Sequence, residues 1–496
     1  MSRYSARRIM LIMTFLLIGA SAVLQPISAY LNRERYPHET APAAVSGVTE
    51  APTGTFQELA YFSSNLPLVV LELDRDPGKA AVWNIRKRYA VPTLTDPLAE
   101  GTLYIYQSES GINRLTDNPE LKTRIKTRYR GLTSINFPKK QYFIKFYTED
   151  GQENRQDVLG MGKGWEWILN IAHIDKSLLR NYLCLNIAHR ASGFASQTRF
   201  CEAFRKRGDQ YEYLGVYLLM EPVGWDRGGV NLTKYNPRHA PGAYLLRRDR
   251  FQGNAVLLDT FATINKLSQG FLEVKYPGKR KITDKTVTYI EKNVSAIEKM
   301  LYAETREEFL TYRESVDMLA AADYFIINEF FGNYDSQMNS YYMHRDLLHK
   351  LKLGPVWDFD QAIGNNAPLV FSPQSIAMQE GVWFRQLLRD NMFANLVVSR
   401  YKQLRRGVLS EENLFRFIDE TIAYIGDARL RDWNRWRYDN IRSLKYAEGD
   451  VIHPALLNSR TYEEEIERIK KLLHEHGTYM DENLETILEG YVEFFQ

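Results

Sequence analysis

Cysteine is scarce in this chain: Cys184 and Cys201 are the only cysteines among 496 residues. Two cysteines cannot form a disulfide framework, and their spacing matches no metal-ligand pattern, so a disulfide-rich or zinc-stabilised fold is excluded. A location outside the cytoplasm would permit a bridge between them, whereas two buried free thiols are the alternative. The sequence leaves both open.

A large excess of one charge is also lacking. The chain has 64 lysines and arginines and 61 aspartates and glutamates, which gives a net charge of +3. A protein that binds nucleic acid normally presents a clustered basic face, so we expect no nucleic-acid partner. The hydrophobic content of 44% and the charged content of 25% are those of a folded globular protein. The length suffices for two lobes or two domains.

Residues 1–32 predict an export segment. Three arginines within the first eight residues precede an uncharged run over residues 9–32, which is the pattern of a secretory signal. One interpretation is a signal peptide cleaved near Ala-Ser-Ala at residues 20–22, and the other is an uncleaved anchor that crosses the membrane once. Both place the bulk of the chain outside the cytoplasm, either membrane-anchored or secreted or periplasmic. Residues 33–60 are expected to form a flexible stalk.

Apolar alternation between turn residues predicts strands in the first half of the chain. One helix interrupts them, starting near Asp175 and running to about Arg190. The segments expected as strands are Leu66–Leu73, Thr102–Tyr106, Lys122–Arg130, Tyr142–Tyr147, Gln197–Lys206 and Tyr211–Met220.

The second half is mostly helical, apart from a short hairpin formed by Ser340–Arg345 and Leu351–Val356. The predicted fold class is therefore α+β, in the two-lobed order of a protein kinase, with a β-rich N-lobe, a helical C-lobe and a small catalytic hairpin. The predicted ranges are 61–382 for the main domain, about 61–222 for its N-lobe, from about 223 for its C-lobe, and 383–496 for a helical extension of the C-lobe.

Two acidic loops flank the predicted hairpin. Asp335 and Asn339 precede it, and Asp358 follows it directly, so all three side chains are expected at one end of the hairpin. Phosphoryl transfer requires a carboxylate that orients the acceptor hydroxyl and oxygen ligands that hold a divalent cation against phosphates. This loop–hairpin–loop order indicates that chemistry.

The motifs differ from those of a conventional kinase. Asn339 follows Asp335 by four residues rather than five, Asp-Phe-Asp ending at Asp360 replaces Asp-Phe-Gly, and no G-x-G-x-x-G phosphate loop is present. The string His344-Arg345-Asp346-Leu347 spells a kinase catalytic loop, but Leu351 stands where its metal-binding Asn should fall. We therefore interpret Asp346 as a surface residue.

Five motifs in one order over about residues 66–366 resemble the CotH (spore coat protein H) kinase family. The resemblance implies an atypical protein-kinase fold that uses ATP and Mg²⁺ or Mn²⁺ to phosphorylate Ser or another hydroxyl of an exported or cell-surface protein. The motifs are Arg128-Tyr129-Arg130-Gly131-Leu132-Thr133-Ser134, Phe137 to Phe146, Asp175 to Asn181, Leu214 to Glu221, and the two acidic loops.

The resemblance also implies roles for single residues. Asp335 is expected to be catalytic, and Lys145 is expected to bind the nucleotide phosphates, with Lys139 and Lys140 as rivals. The expected metal ligands are Asn339, Asp358 and Asp360, and the further expected nucleotide contacts are Lys140, Ser134, Arg180 and Glu221.

A second function remains open on sequence grounds. The chain could be a non-catalytic envelope or surface protein that keeps the fold as a binding or structural module. The presence of Asp335, Asn339 and Asp358 argues against this alternative, because a degenerate site would tolerate their loss.

Overall fold

A computed structural model describes most of the chain between Tyr36 and Tyr491. The described ranges are 36–39, 47–78, 83–84, 89–90, 98–131, 134–226, 229–238, 242–249, 255–268, 271–337, 339–365, 372–438, 444–446, 449–451 and 459–491. The expected export segment 1–32 lies outside them. Among the helices that are described, none is long and apolar enough to cross a membrane. The fold is mixed α+β, with a large sheet, a smaller sheet and several helices.

The first part of the chain builds the large sheet. The described strands of this part are β1 (Gly54–Thr55), β2 (Leu68–Leu73), β3 (Trp83–Asn84), β4 (Tyr89–Ala90), β5 (Ala99–Tyr106), β6 (Leu121–Tyr129), β7 (Tyr142–Tyr147), β8 (Gln156–Asp157), β9 (Lys163–Gly164), β10 (Glu166–Asn170), β11 (Thr198–Arg207) and β12 (Gln210–Met220). Seven of them form a closed barrel in the order β12-β10-β7-β6-β5-β2-β11, and β11 pairs back onto β12. The β2–β11 pair is the one parallel pair of this barrel.

The described parts of the expected stalk pack against this fold. Tyr36 and Leu59 are buried, and β1 pairs with the edge of β12. These contacts bury apolar side chains that a free linker would expose. Residues 36–39 and 47–60 therefore belong to the folded body, which corrects the expectation of a flexible stalk for them.

Period-two alternation gives β7 two different faces. Ile144 and Phe146 point into the barrel and are fully buried, whereas Phe143 and Lys145 lie on the outer face. The outer face also carries Arg128 of β6 and Glu166 of β10, which are the partners of Phe143 and Lys145 in the ladder. The barrel therefore presents a charged surface toward the rest of the molecule.

Helix α1 (Arg180–Ser192) starts later than the sequence predicts. Leu178 adopts a left-handed backbone with φ of 65°, which interrupts a helical path from Asp175. The Asp175 carboxylate accepts hydrogen bonds from the backbone N–H groups of Ser177 and Arg180 instead. Asp175 thus organises the turn before the helix rather than capping its first residue.

The second sheet is built from β13 (Tyr244–Arg248), β14 (Leu257–Leu258), β15 (Leu272–Tyr276), β16 (Tyr341–Arg345) and β17 (Lys352–Leu353). Their order in the sheet is β14-β15-β13-β16-β17. The strand β17 is shorter than expected, because Gly354 adopts φ of 106° and Pro355 has no N–H to donate to a ladder. Two further strands, β18 (Leu444–Tyr446) and β19 (Gly449–Val451), form a separate pair.

A helix over Met318–Phe330, α5, lies at the centre of the helical part, and its residues from Ala321 to Phe330 are all buried. Such all-round burial explains its apolar sequence. The later helices pack around it in one large core. The remaining helices are α2 (Phe261–Ile264), α3 (Asp284–Leu301), α4 (Arg306–Leu310), α5 (Met318–Phe330), α6 (Val382–Leu387), α7 (Asn391–Arg405), α8 (Glu411–Ile425), α9 (Ala428–Trp436) and α10 (Tyr462–Asn483), followed by a 3-10 segment at Leu484–Tyr491.

Both cysteines are free and buried. Cys184 of α1 packs in the large helical core, and Cys201 of β11 packs inside the barrel. Burial raises the pKa of both thiols above its usual range. Of the two alternatives that the sequence leaves open, the structure shows the pair of free thiols.

Candidate functional site

The two acidic loops meet at one end of the β16–β17 hairpin. The Ser340 hydroxyl lies 3.3 Å from Asp335 Oδ2 and 3.2 Å from Asp358 Oδ2. The Asn339 amide donates to Asp335 Oδ1 at 3.3 Å. The structure therefore brings Asp335, Asn339 and Asp358 together, with the two carboxylates separated by a single hydroxyl.

Local contacts hold the two loops in this arrangement. The Asn333 amide donates to Asn328 Oδ1 at 3.0 Å and to the carbonyl of Trp357 at 3.2 Å, which ties the end of α5 to the second loop. Ser340 and Asp358 both adopt left-handed backbones, with φ of 52° and 64°. Such conformations cost on the order of 1 kcal/mol each and concentrate at functional sites.

Two carboxyl groups of the site have raised pKa values, chiefly because they are buried. Burial raises the pKa of Asp358 to about 6, the charges of Asp335 and Asp249 add to the rise, and Arg130 opposes it. Burial, followed by the charges of Asp358 and Asp335, raises the pKa of Asp360 well above its usual range. Carboxylate and amide oxygens are the ligands that Mg²⁺ takes in proteins, so the chemistry of this donor set suits a divalent cation.

Arginines line the side of the site that faces the barrel. The Arg130 guanidinium lies 5.2 Å from the centre of the Trp357 ring and interacts with the charges of Asp358 and Asp249. Arg247 of β13 pairs with Glu273 at 2.7 Å and with Asp249 at 3.3 Å. Guanidinium groups can bind phosphate oxygens in two-pronged geometry. Carboxyl groups and guanidinium groups thus lie side by side in the candidate site.

The three candidate lysines differ in what they contact. Lys145 Nζ lies 2.6 Å from Glu166 Oε1 on the outer face of the barrel, with 27% of its side chain exposed. Lys140 donates to a backbone carbonyl, that of Ile135, at 3.0 Å. Lys139 is fully buried and pairs with Asp432 at 2.6 Å. An ammonium sealed in this way cannot reach a nucleotide, so the structure removes Lys139 from the rivals of Lys145.

A model of the CotH kinase protein family matches residues 127–480, well over half of the chain. The chain belongs to the CotH kinase protein family. Membership supports a kinase-like fold and a kinase-like function. The match begins later than the motif range 66–366, at residue 127, but extends past residue 366 to include most of the C-terminal helices. No curated protein matches the chain.

In this CotH-family chain, Arg180 supports the second acidic loop from behind. Its guanidinium is fully buried, pairs with Asp175 at 2.6 Å and Glu465 at 2.8 Å, and donates to the carbonyls of Ala362 and Ile363. The guanidinium is thus engaged with protein atoms, and two of these are backbone carbonyl oxygens just after the Asp-Phe-Asp string. This corrects the expected nucleotide contact, because Arg180 positions the loop from inside the core.

Asn181, the next residue of α1, fixes the same loop. Its side-chain oxygen accepts a hydrogen bond of 2.8 Å from the backbone N–H of Phe359, the residue between Asp358 and Asp360. Its amide donates to Asn170 of β10 at 3.4 Å. The helix that follows the Asp175 motif therefore connects the barrel to the metal-binding candidates.

Ser134 and Glu221 contact neighbouring protein groups. A Cβ on Gly131, which has φ of 106°, would lie 1.9 Å from the Ser134 hydroxyl, so the glycine is needed for this close approach. Glu221 is buried, and its carboxylate accepts from the backbone N–H of Gln197 at 3.0 Å. Their roles as nucleotide contacts stay predictions.

Sequence reasoning missed three residues of the site: Ser340, Arg247 and Asp249. Ser340 directly follows Asn339, and this adjacency was the one available signal. Arg247 and Asp249 are two residues apart, which in a strand puts them on one face. No local pattern shows that β13 pairs with β16, so no local pattern places that face beside Asp358.

Asp346 lies at the other end of β16 from Ser340. Five residues of strand lie between them, so six steps of about 3.3 Å separate them by roughly 20 Å. Its carboxylate accepts hydrogen bonds of 2.8 Å from the backbone N–H groups of Thr233 and Leu347. The kinase-like string therefore lies at the turn of the hairpin, where the Asp346 carboxylate accepts backbone hydrogen bonds.

Proposed function

We propose that the chain is an atypical protein kinase that transfers the γ-phosphoryl group of ATP to Ser or another hydroxyl of an exported or cell-surface protein. The observation that carries this proposal is the Ser340 hydroxyl shared by Asp335 and Asp358. Arginines at the adjoining wall of the site add to it.

Asp358, Asn339 and Asp360 would hold a divalent cation, Mg²⁺ or Mn²⁺. The bound cation supplies charge neutralisation for the phosphates that react. The fit rests on the raised pKa values of Asp358 and Asp360, since a nearby cation lowers the cost of ionising both carboxylates. Ser340 keeps the Asp358 carboxylate oriented through its hydroxyl.

Arg130 and Arg247 would bind phosphate oxygens, and Lys145, held by Glu166, would bind the nucleotide further along the barrel surface. In this arrangement the barrel acts as the N-lobe and the second sheet with its helices acts as the C-lobe. Asp335 would accept the proton of the acceptor hydroxyl, as the catalytic-loop aspartate of a kinase does.

The acceptor class follows from the predicted export segment. A basic, then uncharged, N-terminus directs the rest of the chain across a membrane, so the acceptor would be an exported or surface protein. If the segment is not cleaved, it also anchors the chain to the membrane. Whether or not the segment is cleaved, ATP would have to be available outside the cytoplasm.

Incubation of the full-length chain with γ-labelled ATP and Mg²⁺ or Mn²⁺ tests the proposal. We expect label on the chain or on a co-purified protein, lost in Asp335→Ala and retained in Asp346→Ala. The second variant is a matched control, because it removes the carboxylate of the kinase-like string. Absence of nucleotide binding by calorimetry with either metal would contradict the proposal and favour the non-catalytic surface module.

A further inference from the structure

A buried carboxylate connects α5 to the loop that carries Asp335. Glu329, the penultimate residue of α5, is fully buried. Its Oε1 accepts a hydrogen bond of 3.1 Å from the hydroxyl of Tyr334, the residue before Asp335. Its Oε2 accepts one of 2.6 Å from the backbone N–H of Met378. Glu329 therefore contacts the loop of Asp335 directly, through the hydroxyl of Tyr334.

The C-terminal helix α10 supplies a cation to this carboxylate. His476 is 1% exposed, and its Nε2 lies 2.9 Å from the carbonyl oxygen of Glu329, while its Nδ1 lies 2.9 Å from that of Pro373. A carbonyl oxygen only accepts hydrogen bonds, so both ring nitrogens must donate. Both therefore carry protons, and the ring is an imidazolium, with Glu329 Oε1 at 3.5 Å as its counter-charge.

The charges around His476 agree with this protonation state. Burial lowers the pKa of His476, but the hydrogen bond and the charge of Glu329 outweigh burial and raise it above the usual value. Arg405 of α7 approaches Gly477, the residue that follows His476, and pairs with Asp481 of α10 at 3.0 Å. Tyr334 is neutral, since burial and Glu329 raise its pKa.

We propose that His476 and Glu329 form a positioning pair through which α10 holds the loop of Asp335 in its working geometry. The inference rests on the proposed phosphotransfer role of Asp335. Buried ion pairs add little net stability over apolar residues, and specification of one conformation is a documented use of them. Here the pair contacts the loop itself, through Tyr334, and its cation comes from a helix more than 130 residues away in sequence.

His476→Gln tests the pair, since glutamine is neutral and keeps part of the ring's volume and one donor. We expect kcat to fall about tenfold or more, with KM for ATP within about twofold, because the arginines and Lys145 lie on other elements. Glu329→Gln gives a second, milder variant. It lowers the pKa of His476, so its activity should recover at acidic pH, whereas that of His476→Gln should not.

His474→Gln is the matched control. His474 lies on the same helix, is 59% exposed, and pairs with Glu411 at 2.6 Å. We expect its replacement to leave kcat and KM within about twofold of the starting values.

Hydrogen exchange of residues 333–337 in the full-length chain separates this inference from the proposed function. The loop should exchange faster in His476→Gln than in the unmodified chain, and His474→Gln should leave it unchanged. Unchanged exchange in His476→Gln, or an NMR titration that puts the His476 pKa at or below 6.5, would overturn the positioning pair. Failure of the unmodified chain to transfer phosphate, with the exchange result intact, would overturn the proposed function alone.

Discussion

Replacement of Asp358 by asparagine should stabilise the protein while abolishing its activity. The pKa of Asp358 is raised from 3.8 to about 6, so ionisation is less favourable in the folded chain than in the unfolded chain. A shift of about two units corresponds to at most about 3 kcal/mol, and the partial solvent contact of the side chain reduces this to roughly 1–3 kcal/mol. Asparagine keeps the shape and removes the charge.

The sign of the pH dependence follows from the raised pKa. Between about pH 4 and pH 6 the unfolded chain loses the Asp358 proton before the folded chain does, so folding stability falls as the pH rises. Thermal unfolding without metal should therefore show Asp358→Asn melting above the unmodified chain at pH 7.5, with the difference vanishing near pH 4. Added Mg²⁺ or Mn²⁺ with ATP should raise the melting temperature of the unmodified chain and leave that of the variant unchanged.

Asp346→Asn is the control for this experiment. Backbone hydrogen bonds from Thr233 and Leu347 outweigh burial and lower the pKa of Asp346, so its neutral variant should melt slightly lower, not higher, and should keep phosphotransfer. A lower melting temperature of Asp358→Asn at pH 7.5 would refute the reasoning, because it would show that the ionised Asp358 carboxylate stabilises the apo fold.

Replacing Lys139 should lower the stability of the chain, whereas replacing Lys145 should raise KM for ATP. Lys139→Met leaves the buried Asp432 carboxylate without its counter-charge, so urea unfolding should show a loss of about 3–5 kcal/mol. Lys139→Met combined with Asp432→Leu should recover much of this loss. Full stability of the single variant would contradict the buried pair. Lys145→Met should instead raise KM for ATP about tenfold without unfolding the chain, since Lys145 is partly exposed. Lys140→Met is the control and should leave KM for ATP unchanged. Equal effects of the two replacements would contradict the assignment of Lys145 as the nucleotide-binding lysine.

Local pattern predicted much of the secondary structure. The alternation in β7 indicates its buried face, and the observed strand Tyr142–Tyr147 coincides with the predicted one. The prediction for α1 was wrong at its start, because the left-handed backbone at Leu178 is imposed by the buried contacts of Asp175 rather than by helix propensity.

Only part of the candidate site could be predicted from the sequence. The order of the acidic loops around a hairpin is local, so Asp335, Asn339 and Asp358 could be placed together from the sequence. Arg247 and Asp249 could not, because they join the site through pairing of β13 with β16, which lie about a hundred residues apart. A separation of about 130 residues likewise kept the parallel pairing of β2 with β11, which closes the barrel, from being predicted from the sequence.

The sequence by itself determined the fold class, the family and the acidic core of the site, since periodicity, turn residues and motif order all act over short stretches of chain. Only the tertiary structure decided what each polar side chain does. In the sequence, Arg180 and Lys139 are both candidate cations. In the folded chain both are buried: Arg180 donates to the backbone of an acidic loop, and Lys139 pairs with Asp432. Desolvation and long-range pairing set these roles, and both exist only once distant segments have packed together.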